Sequence, residues 1–229
     1  ENFTVRNCEI GWIGGSINTY NTTSGKPARY GNGVQVHSAA DGYYVENNYI
    51  YQVYDAGITH QVTAAGQTYR MKDVCYRDNL VEYCVYSIEY FLEVTGDSTG
   101  CCMENIDIRG NLLRCSGYGW GQQRHNKDTP AHIKGWSYAN PARNYRICDN
   151  VFDRAAYRML HLVCEQPESL PQLEGNVYIQ HTGGLLGQYG ANAGAEPPVL
   201  PFDGTAADVL HSVFGDVRAT VLPIRVCEQ

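Results

Sequence analysis

The sequence predicts an all-β protein that winds as a solenoid of parallel strands, about six coils long. An eight-residue pattern recurs six times along the 229 residues, and equivalent positions hold the same kinds of residue. Glycine and tyrosine, which favour turns and strands, are abundant, with 24 and 18 copies. A repeat unit of this size cannot bury its apolar face alone, so self-similarity of this kind is typical of stacked coils.

The pattern centres on one position, called the anchor here. The six segments read FTVRNCEI (3–10), YYVENNYI (43–50), VCYRDNLV (74–81), IDIRGNLL (106–113), YRICDNVF (145–152) and PQLEGNVY (171–178). The anchors are Cys8, Asn48, Asn79, Asn111, Asn150 and Asn176. Stacked asparagine amides can donate to one neighbour and accept from the other, so we expect an inward ladder of asparagines.

Two further positions predict tight turns. The residue before the anchor is Asn7, Asn47, Asp78, Gly110, Asp149 or Gly175, and the sixth residue before it is Gly42, Asp73, Asn105 or Asn144. Asparagine, aspartate and glycine tolerate left-handed backbone angles, so we expect a bend at both positions.

Apolar columns lie between these turns and predict three short strands per coil. The first column is Val5, Val45, Tyr76, Ile108, Ile147 and Leu173, and the second is Ile10, Ile50, Val81, Leu113, Phe152 and Tyr178. The third, nine residues after the anchor with one extra residue in the second coil, is Ile17, Ile58, Ile88, Trp120, Met159 and Leu185. Alternation then points Thr59, Glu89, Gly121 and Leu160 outward. It points His60 and His161 inward, as core histidines.

Insertions of variable length follow the third column. They cover residues 18–33, 61–68, 92–101 and 121–130, and we expect them to stack at one corner and wall a groove. Loops placed by a rigid scaffold are a common location for function.

The ends of the chain differ from the repeat. We predict a solenoid domain over 1–187 and a C-terminal cap over 188–229, with a helix at 205–214 and a strand at 219–226. The first coil has no capping segment before it, so we expect either missing N-terminal coils or a partner that covers the open end.

Composition excludes several classes. The net charge of −7 and the lack of a basic run argue against nucleic-acid binding, and no apolar stretch is long enough to span a membrane. The nine cysteines form no CxxC pair, and we expect most to be small apolar wall residues, with a Cys84–Cys115 disulfide left open. No aspartate ladder marks a calcium site, so we predict no metal and no cofactor.

The repeat resembles that of the right-handed parallel β-helix (pectate-lyase-like) superfamily, over residues 3–187. The resemblance implies a secreted, extracellular or cell-surface protein that acts on a polysaccharide, and we favour a glycoside hydrolase over a polysaccharide lyase. The alternative is a non-catalytic module, either a carbohydrate-binding or adhesion solenoid or part of a fibre-like trimer.

Candidate site residues follow from these two chemistries. Hydrolysis needs two carboxyl groups, for which we nominate Glu89, Glu104 and Asp128, with Asp55 and Asp97 as further sources. Glu104 lies in a column between Lys72 and Arg143. Elimination needs a base and positive charge, so we expect six residues to bind or neutralise substrate: His37, Lys72, Arg124, His125, His132 and Lys134.

Overall fold

The computed structural model describes residues 2–14, 19–21, 26–28, 31–96, 99–119, 130–136, 138, 140–192 and 194–225. It shows an all-β protein whose strands form three mainly parallel sheets. The chain visits the sheets in rotation and returns to each one beside its previous strand. This is the arrangement of a solenoid, as the repeat predicts.

Each sheet collects the equivalent strand of successive coils. The first sheet contains β1 (Phe3–Arg6), β6 (Ala40–Glu46), β9 (Arg70–Arg77), β12 (Cys102–Arg109), β15 (Ala142–Cys148) and β18 (Gln172–Glu174). The second contains β2 (Glu9–Ile13), β7 (Tyr49–Val53), β10 (Leu80–Glu82), β13 (Leu112–Ser116), β16 (Val151–Ala155), β19 (Val177–His181) and β22 (Thr220–Ile224). The third contains β5 (Val34–His37), β8 (Ala56–Ala65), β11 (Tyr86–Thr95), β14 (Ala131–Gly135), β17 (Arg158–Cys164), β20 (Gly184–Ala191) and β21 (Leu200–Phe202).

Three smaller elements complete the described chain. A hairpin, β3 (Thr19–Asn21) with β4 (Lys26–Ala28), lies between β2 and β5. A 3-10 turn covers Pro167–Ser169, and α1 covers Ala206–Ser212. No helix in the described ranges is both long and apolar enough to cross a membrane.

The asparagine ladder is confirmed. At each step from Asn48 to Asn176, the side-chain Nδ2 donates to Oδ1 of the asparagine one coil further on, at 2.9–3.0 Å. The same Oδ1 accepts a backbone N–H from the preceding coil at 3.0 Å. Each Nδ2 also donates to a backbone carbonyl of the wall, so the buried amides are satisfied.

Both predicted turn columns are confirmed, because their non-glycine members have φ between 51° and 56°. A third left-handed column, at the end of the second-sheet strands, was not predicted. Its members are Trp12, Gln52, Tyr83, Cys115 and Arg154, with φ between 51° and 58°.

The third apolar column was predicted in the wrong register. Ile88 pairs with Ile58 and with Ile133, Ile133 pairs with Leu160, and Leu160 pairs with Gly187. Met159 and Leu185 are therefore not in this column, and Ile17 and Trp120 lie outside the described residues. The error arose because the connection from the second sheet to the third differs in length from coil to coil, by one or two residues before Leu160 and Gly187 and by a long insertion before Ile133, so a constant offset from the anchor fails.

The insertions also lie at two corners rather than one. Residues 14–33 and 117–130 connect the second sheet to the third, whereas residues 66–69 and 96–101 connect the third sheet back to the first. Half of the residues in the predicted insertions at 61–68 and 92–101 are in fact the ends of the long strands β8 and β11.

The core lies between the three sheets and extends into the C-terminal segment. The predicted helix and strand are α1 and β22, and β22 adds to the second sheet beside β19. Leu210 and Phe214 are buried in the same apolar cluster as the solenoid walls. β20 pairs with β17 through Ala191, so regular pairing passes the predicted boundary at 187.

Eight cysteines fall in the described chain, and all carry free thiols, including Cys84 and Cys115. All but Cys8 are buried. His60 is a satisfied core histidine, as predicted, because its ring nitrogens lie 3.0 Å from the Tyr76 hydroxyl and 3.2 Å from that of Tyr145.

Candidate functional site

A row of polar side chains crosses the outer face of the third sheet. Strand register aligns Gln35, Thr59, Glu89, Lys134, His161 and Gln188, one from each of six neighbouring strands. We call this row the polar column. All of its members except Gln35 are buried. Buried ionisable groups are costly, so a row of them outside the apolar core is a candidate functional site.

Glu89 is held by donors on three sides. Its Oε1 accepts from the indole Nε1 of Trp136 at 2.6 Å. Its Oε2 accepts from Gln61 Nε2 at 2.7 Å and from Thr59 Oγ1 at 3.4 Å. Because both oxygens are engaged, the carboxylate has one defined orientation, which is the preorganisation that an acid–base group needs.

Lys134 lies beside Glu89 in the register and has an unusual environment. Its Nζ lies 3.0 Å from His161 Nδ1 and 4.4 Å from the centre of the Trp136 ring. Burial, reinforced by the positive charge of Arg158, lowers the pKa of Lys134 from 10.5 to about 7. A lysine with this pKa is partly neutral at neutral pH and can accept a proton.

His161 and Arg158 complete the cluster. Burial, together with the charges of Lys134 and Arg158, lowers the pKa of His161 to about 2, so its ring is neutral at neutral pH. Arg158 is 7% exposed and donates from Nη1 to Gln188 Oε1. Within the described part of the chain its Nε has no hydrogen-bond partner. An anionic group could therefore satisfy it.

Of the nominated residues, the structure brings Glu89 and Lys134 together. His132 lies on the same strand as Lys134, but the predicted outward orientation is wrong. It is fully buried, with its ring 5.8 Å from that of Phe152 and its Nδ1 3.3 Å from Ser87 Oγ. Burial lowers its pKa to about 3. His132 therefore contacts Phe152 of the apolar core, to which Ile133 also belongs.

Glu104 and Lys72 lie on the first sheet, away from the polar column. Glu104 pairs with Lys72 and Arg143 as predicted, and its carboxylate is 3.6 Å from the Arg143 guanidinium. Lys72 forms an ion pair with Asp41 at 3.0 Å. Both are surface residues, which is the ordinary environment of paired charges.

The remaining nominated residues lie away from the polar column or outside the described residues. His37 lies exposed on the edge strand β5, paired in register with Gln61. Arg124, His125, Asp128 and Asp97 lie outside the described residues. Asp55 is buried at the turn before β8.

Sequence reasoning missed His161, Arg158 and Gln61 as members of this cluster, and it did not place Trp136 beside Glu89. His161 was placed inward with His60, but it pairs with Lys134 and belongs to the polar column. Aligning AHIK (131–134) with RMLH (158–161) would have revealed this register, since both segments begin a third-sheet strand. Trp136 and Gln61 follow column members by two residues, which is the spacing of side chains on one face.

The described residues include no cluster of three or more His, Cys, Asp or Glu that could hold a metal ion. No protein-family model, curated protein or solved structure matches the chain. The class of protein therefore rests on the geometry alone: the chain is a parallel-sheet solenoid with a buried cluster of ionisable side chains on one outer face.

Proposed function

We propose that the chain is a right-handed parallel β-helix domain that cleaves a polysaccharide outside the cell or at its surface, without a cofactor. The observation that supports the proposal best is the adjacency of Glu89 and Lys134 in the polar column, with Lys134 titrating near pH 7. The right-handed sense follows the strong preference of parallel strand connections.

β-Elimination is the chemistry that these residues support best. The neutral Nζ of Lys134 would remove the proton next to the carboxyl group of a uronate. The electron pair would then form a carbon–carbon double bond while the glycosidic C–O bond breaks, and the leaving oxygen would take a proton from water. The positive charge of Arg158, whose Nε has no hydrogen-bond partner among the described residues, would attract the uronate carboxylate.

Hydrolysis is the second candidate, and the buried, fixed carboxylate of Glu89 favours it. Asp55 is not its partner, because the register places Asp55 four residues before the position opposite Glu89, about 13 Å along the sheet, whereas a glycosidase pair is about 5 to 9.5 Å apart. Asp128 remains a further candidate for the second group. In this reaction Glu89 would be one of the acid–base pair.

The half-buried side chains of Gln61 and Trp136 lie at the outer border of the cluster. We propose that the sugar enters from this side. Aromatic rings commonly stack on the apolar faces of sugars. Trp136 would therefore orient the substrate through its ring while it holds the Glu89 carboxylate through its indole N–H.

The test is incubation of the chain with a panel of neutral and acidic polysaccharides, reading both new reducing ends and the absorbance of unsaturated products. For elimination, wild-type protein should give both signals, and Lys134→Met should lower the rate by at least about 100-fold. Lys72→Met, a lysine on the first sheet, is the matched control and should leave the rate unchanged.

Each other outcome decides between the candidates. Reducing ends without unsaturated products, lost in Glu89→Gln, would assign hydrolysis. Retention of polysaccharide without any cleavage would assign the non-catalytic binding module instead. Full cleavage by both variants would remove the polar column from the mechanism.

A further inference from the structure

The outer face of the second sheet carries an aromatic cluster distinct from the polar column. Three side chains, Trp12, Tyr49 and Tyr51, form what we call the aromatic platform. The rings of Tyr49 and Tyr51 are stacked, with centres 4.6 Å apart and planes inclined by 17°. Trp12 meets Tyr51 edge to face at 6.5 Å.

The platform is held in place by its neighbours. The Tyr51 hydroxyl donates to Glu9 at 3.0 Å, and the Tyr49 hydroxyl donates to Glu82 at 2.8 Å. The hydrogen bond that Tyr49 donates to Glu82 contributes most to raising the pKa of Tyr49 to about 12, so this hydroxyl remains a donor at neutral pH. The ring orientations are therefore fixed without a bound ligand.

Gly11 provides the seat for Tyr51. A Cβ atom at this position would lie 2.5 Å from Cζ of the Tyr51 ring, so the ring rests directly on the glycine backbone. Any larger residue at position 11 would push the ring out of the platform.

Trp12 is the most exposed residue of the platform and has a left-handed backbone. Its side chain is 63% exposed, although indole is one of the largest apolar groups. Its backbone has φ of 58°, which is unfavourable for a bulky residue. The coil imposes this φ, because Gln52, Tyr83, Cys115 and Arg154 adopt it at the same position of later coils, so the exposure of the indole is the feature that points to a ligand.

We propose that the aromatic platform binds a neutral polysaccharide through the apolar faces of its sugar rings. The rings of Trp12 and Tyr51 supply the stacking surface, and the exposed carboxylate of Glu9, next to the Tyr51 hydroxyl, would accept hydrogen bonds from sugar hydroxyls. The Glu9 carboxylate disfavours an acidic polymer at this site. The site lies on a different sheet from Glu89 and Lys134 and does not depend on catalysis.

The test is native electrophoresis of the full chain through gels that contain soluble β-glucan, xylan or galactomannan, with polygalacturonate as the acidic comparison. At least one neutral polymer should retard the wild-type protein. Trp12→Ala, Tyr51→Ala and Gly11→Ala should each weaken binding by about tenfold. Phe3→Ala is the matched control, because Phe3 is 57% exposed and stacks on Tyr43 on the first sheet. Its binding should be unchanged.

Three results would overturn the proposal. One is the absence of retardation in every neutral gel, and another is equal retardation of wild-type protein and the Trp12 and Gly11 variants. The third is a wild-type dimer in sedimentation equilibrium that Trp12→Ala converts to monomer without any glycan binding, because the platform would then be a contact between copies. Circular dichroism of each variant confirms that it folds.

The outcome is separate from that of the proposed function. Lys134→Met should bind the neutral polymer as the wild type does, whether or not the wild type cleaves anything. Retardation without cleavage would remove the catalytic proposal only.

Discussion

Lys134 illustrates how one residue gains reactivity at the expense of stability. Its ammonium group would be strongly hydrated in water, but in the fold it is only 3% exposed, with an aromatic ring and a neutral histidine as close neighbours. The protein therefore binds the proton less tightly than the unfolded chain does. This is why the pKa of Lys134 falls to about 7.

For the proposed elimination, the cleavage rate should depend on pH through this group. The base is active when neutral, so the rate should rise through a midpoint near pH 7 and fall about tenfold for each pH unit below it. A profile of kcat/KM between pH 5 and pH 9 measures this. A rate that stays constant from pH 5 to pH 9 would contradict the assignment of Lys134 as the base.

Lys134→Met should stabilise the protein while abolishing cleavage. The folded pKa of Lys134 lies below its unfolded value, so wild-type stability is lowest below pH 7 and rises up to about pH 10.4, by at most about 1.4 kcal/mol per pH unit. The methionine variant lacks this rise, so its advantage in urea melts should be largest at pH 6 and should vanish near pH 10. Lys72→Met, at an exposed ion pair, should show no such trend.

The asparagine ladder shows that an element can need a chemically different last member. Each asparagine donates from Nδ2 to the next coil, so the final one, Asn176, requires an acceptor. Asp216 supplies it, since its Oδ2 accepts from Asn176 Nδ2 at 2.8 Å and from the Tyr178 hydroxyl at 3.0 Å. Its Oδ1 accepts from the backbone N–H of Gly175 at 2.7 Å.

Asp216→Asn should therefore be strongly destabilising despite its similar shape. The NH2 group of an asparagine would face either the Gly175 N–H or the Asn176 and Tyr178 donors inside a fully buried site. We expect this clash of donors to lower the free energy of unfolding by about 3 kcal/mol. The change in free energy of unfolding from urea melts tests this. Asp208→Asn, on the exposed face of α1, should change it by less than about 1 kcal/mol. Equal losses in the two variants would show that Asp216 is not the end of the ladder.

Residue chemistry explains which turns were predictable from sequence. The turns at Asn47 and Asp73 were predicted because their residue types favour left-handed backbone angles. The turns at Gln52 and Tyr83 were not, since neighbouring coils rather than local preference impose their φ of 51° and 55°. Tertiary context overrides propensity in that column.

At the scale of the whole molecule, the three histidines that are buried among the described residues predict sensitivity to acid. Burial lowers the pKa of His60 and His132 to about 3 and that of His161 to about 2. The unfolded chain takes up these protons from about pH 6.5 downward and the folded chain does not, so stability should be lost as the pH falls towards 3. The loss should reach about 4 kcal/mol per pH unit, or about 1.4 for each histidine.

Urea melts at pH 7, 6, 5 and 4 measure this slope. His132→Phe should reduce it by about one third, since it removes one of the three groups, whereas His37→Gln, at an exposed position, should leave it unchanged. An identical slope in wild-type protein and the His132 variant would contradict the assignment.

The molecule as a whole was more predictable than its candidate site. Short-range patterns set the register of the first two sheets, because the segments around Asn79 and Asn111 carry their own turns and apolar positions. The third sheet follows insertions of unequal length, so counting from the anchor misplaced His161 and could not locate Trp136 beside Glu89. A site built from residues one coil apart depends on that register.

The ladder also gives the molecule a direction of growth. Every side-chain amide from Asn48 to Asn176 donates its hydrogen bond in the same direction along the solenoid. A duplicated middle coil with its own asparagine would therefore have a donor on one side and an acceptor on the other. The Asp216 carboxylate only accepts hydrogen bonds, so it cannot donate one to a further coil. We therefore expect engineered coils to be accepted between existing coils of the ladder but not after Asp216.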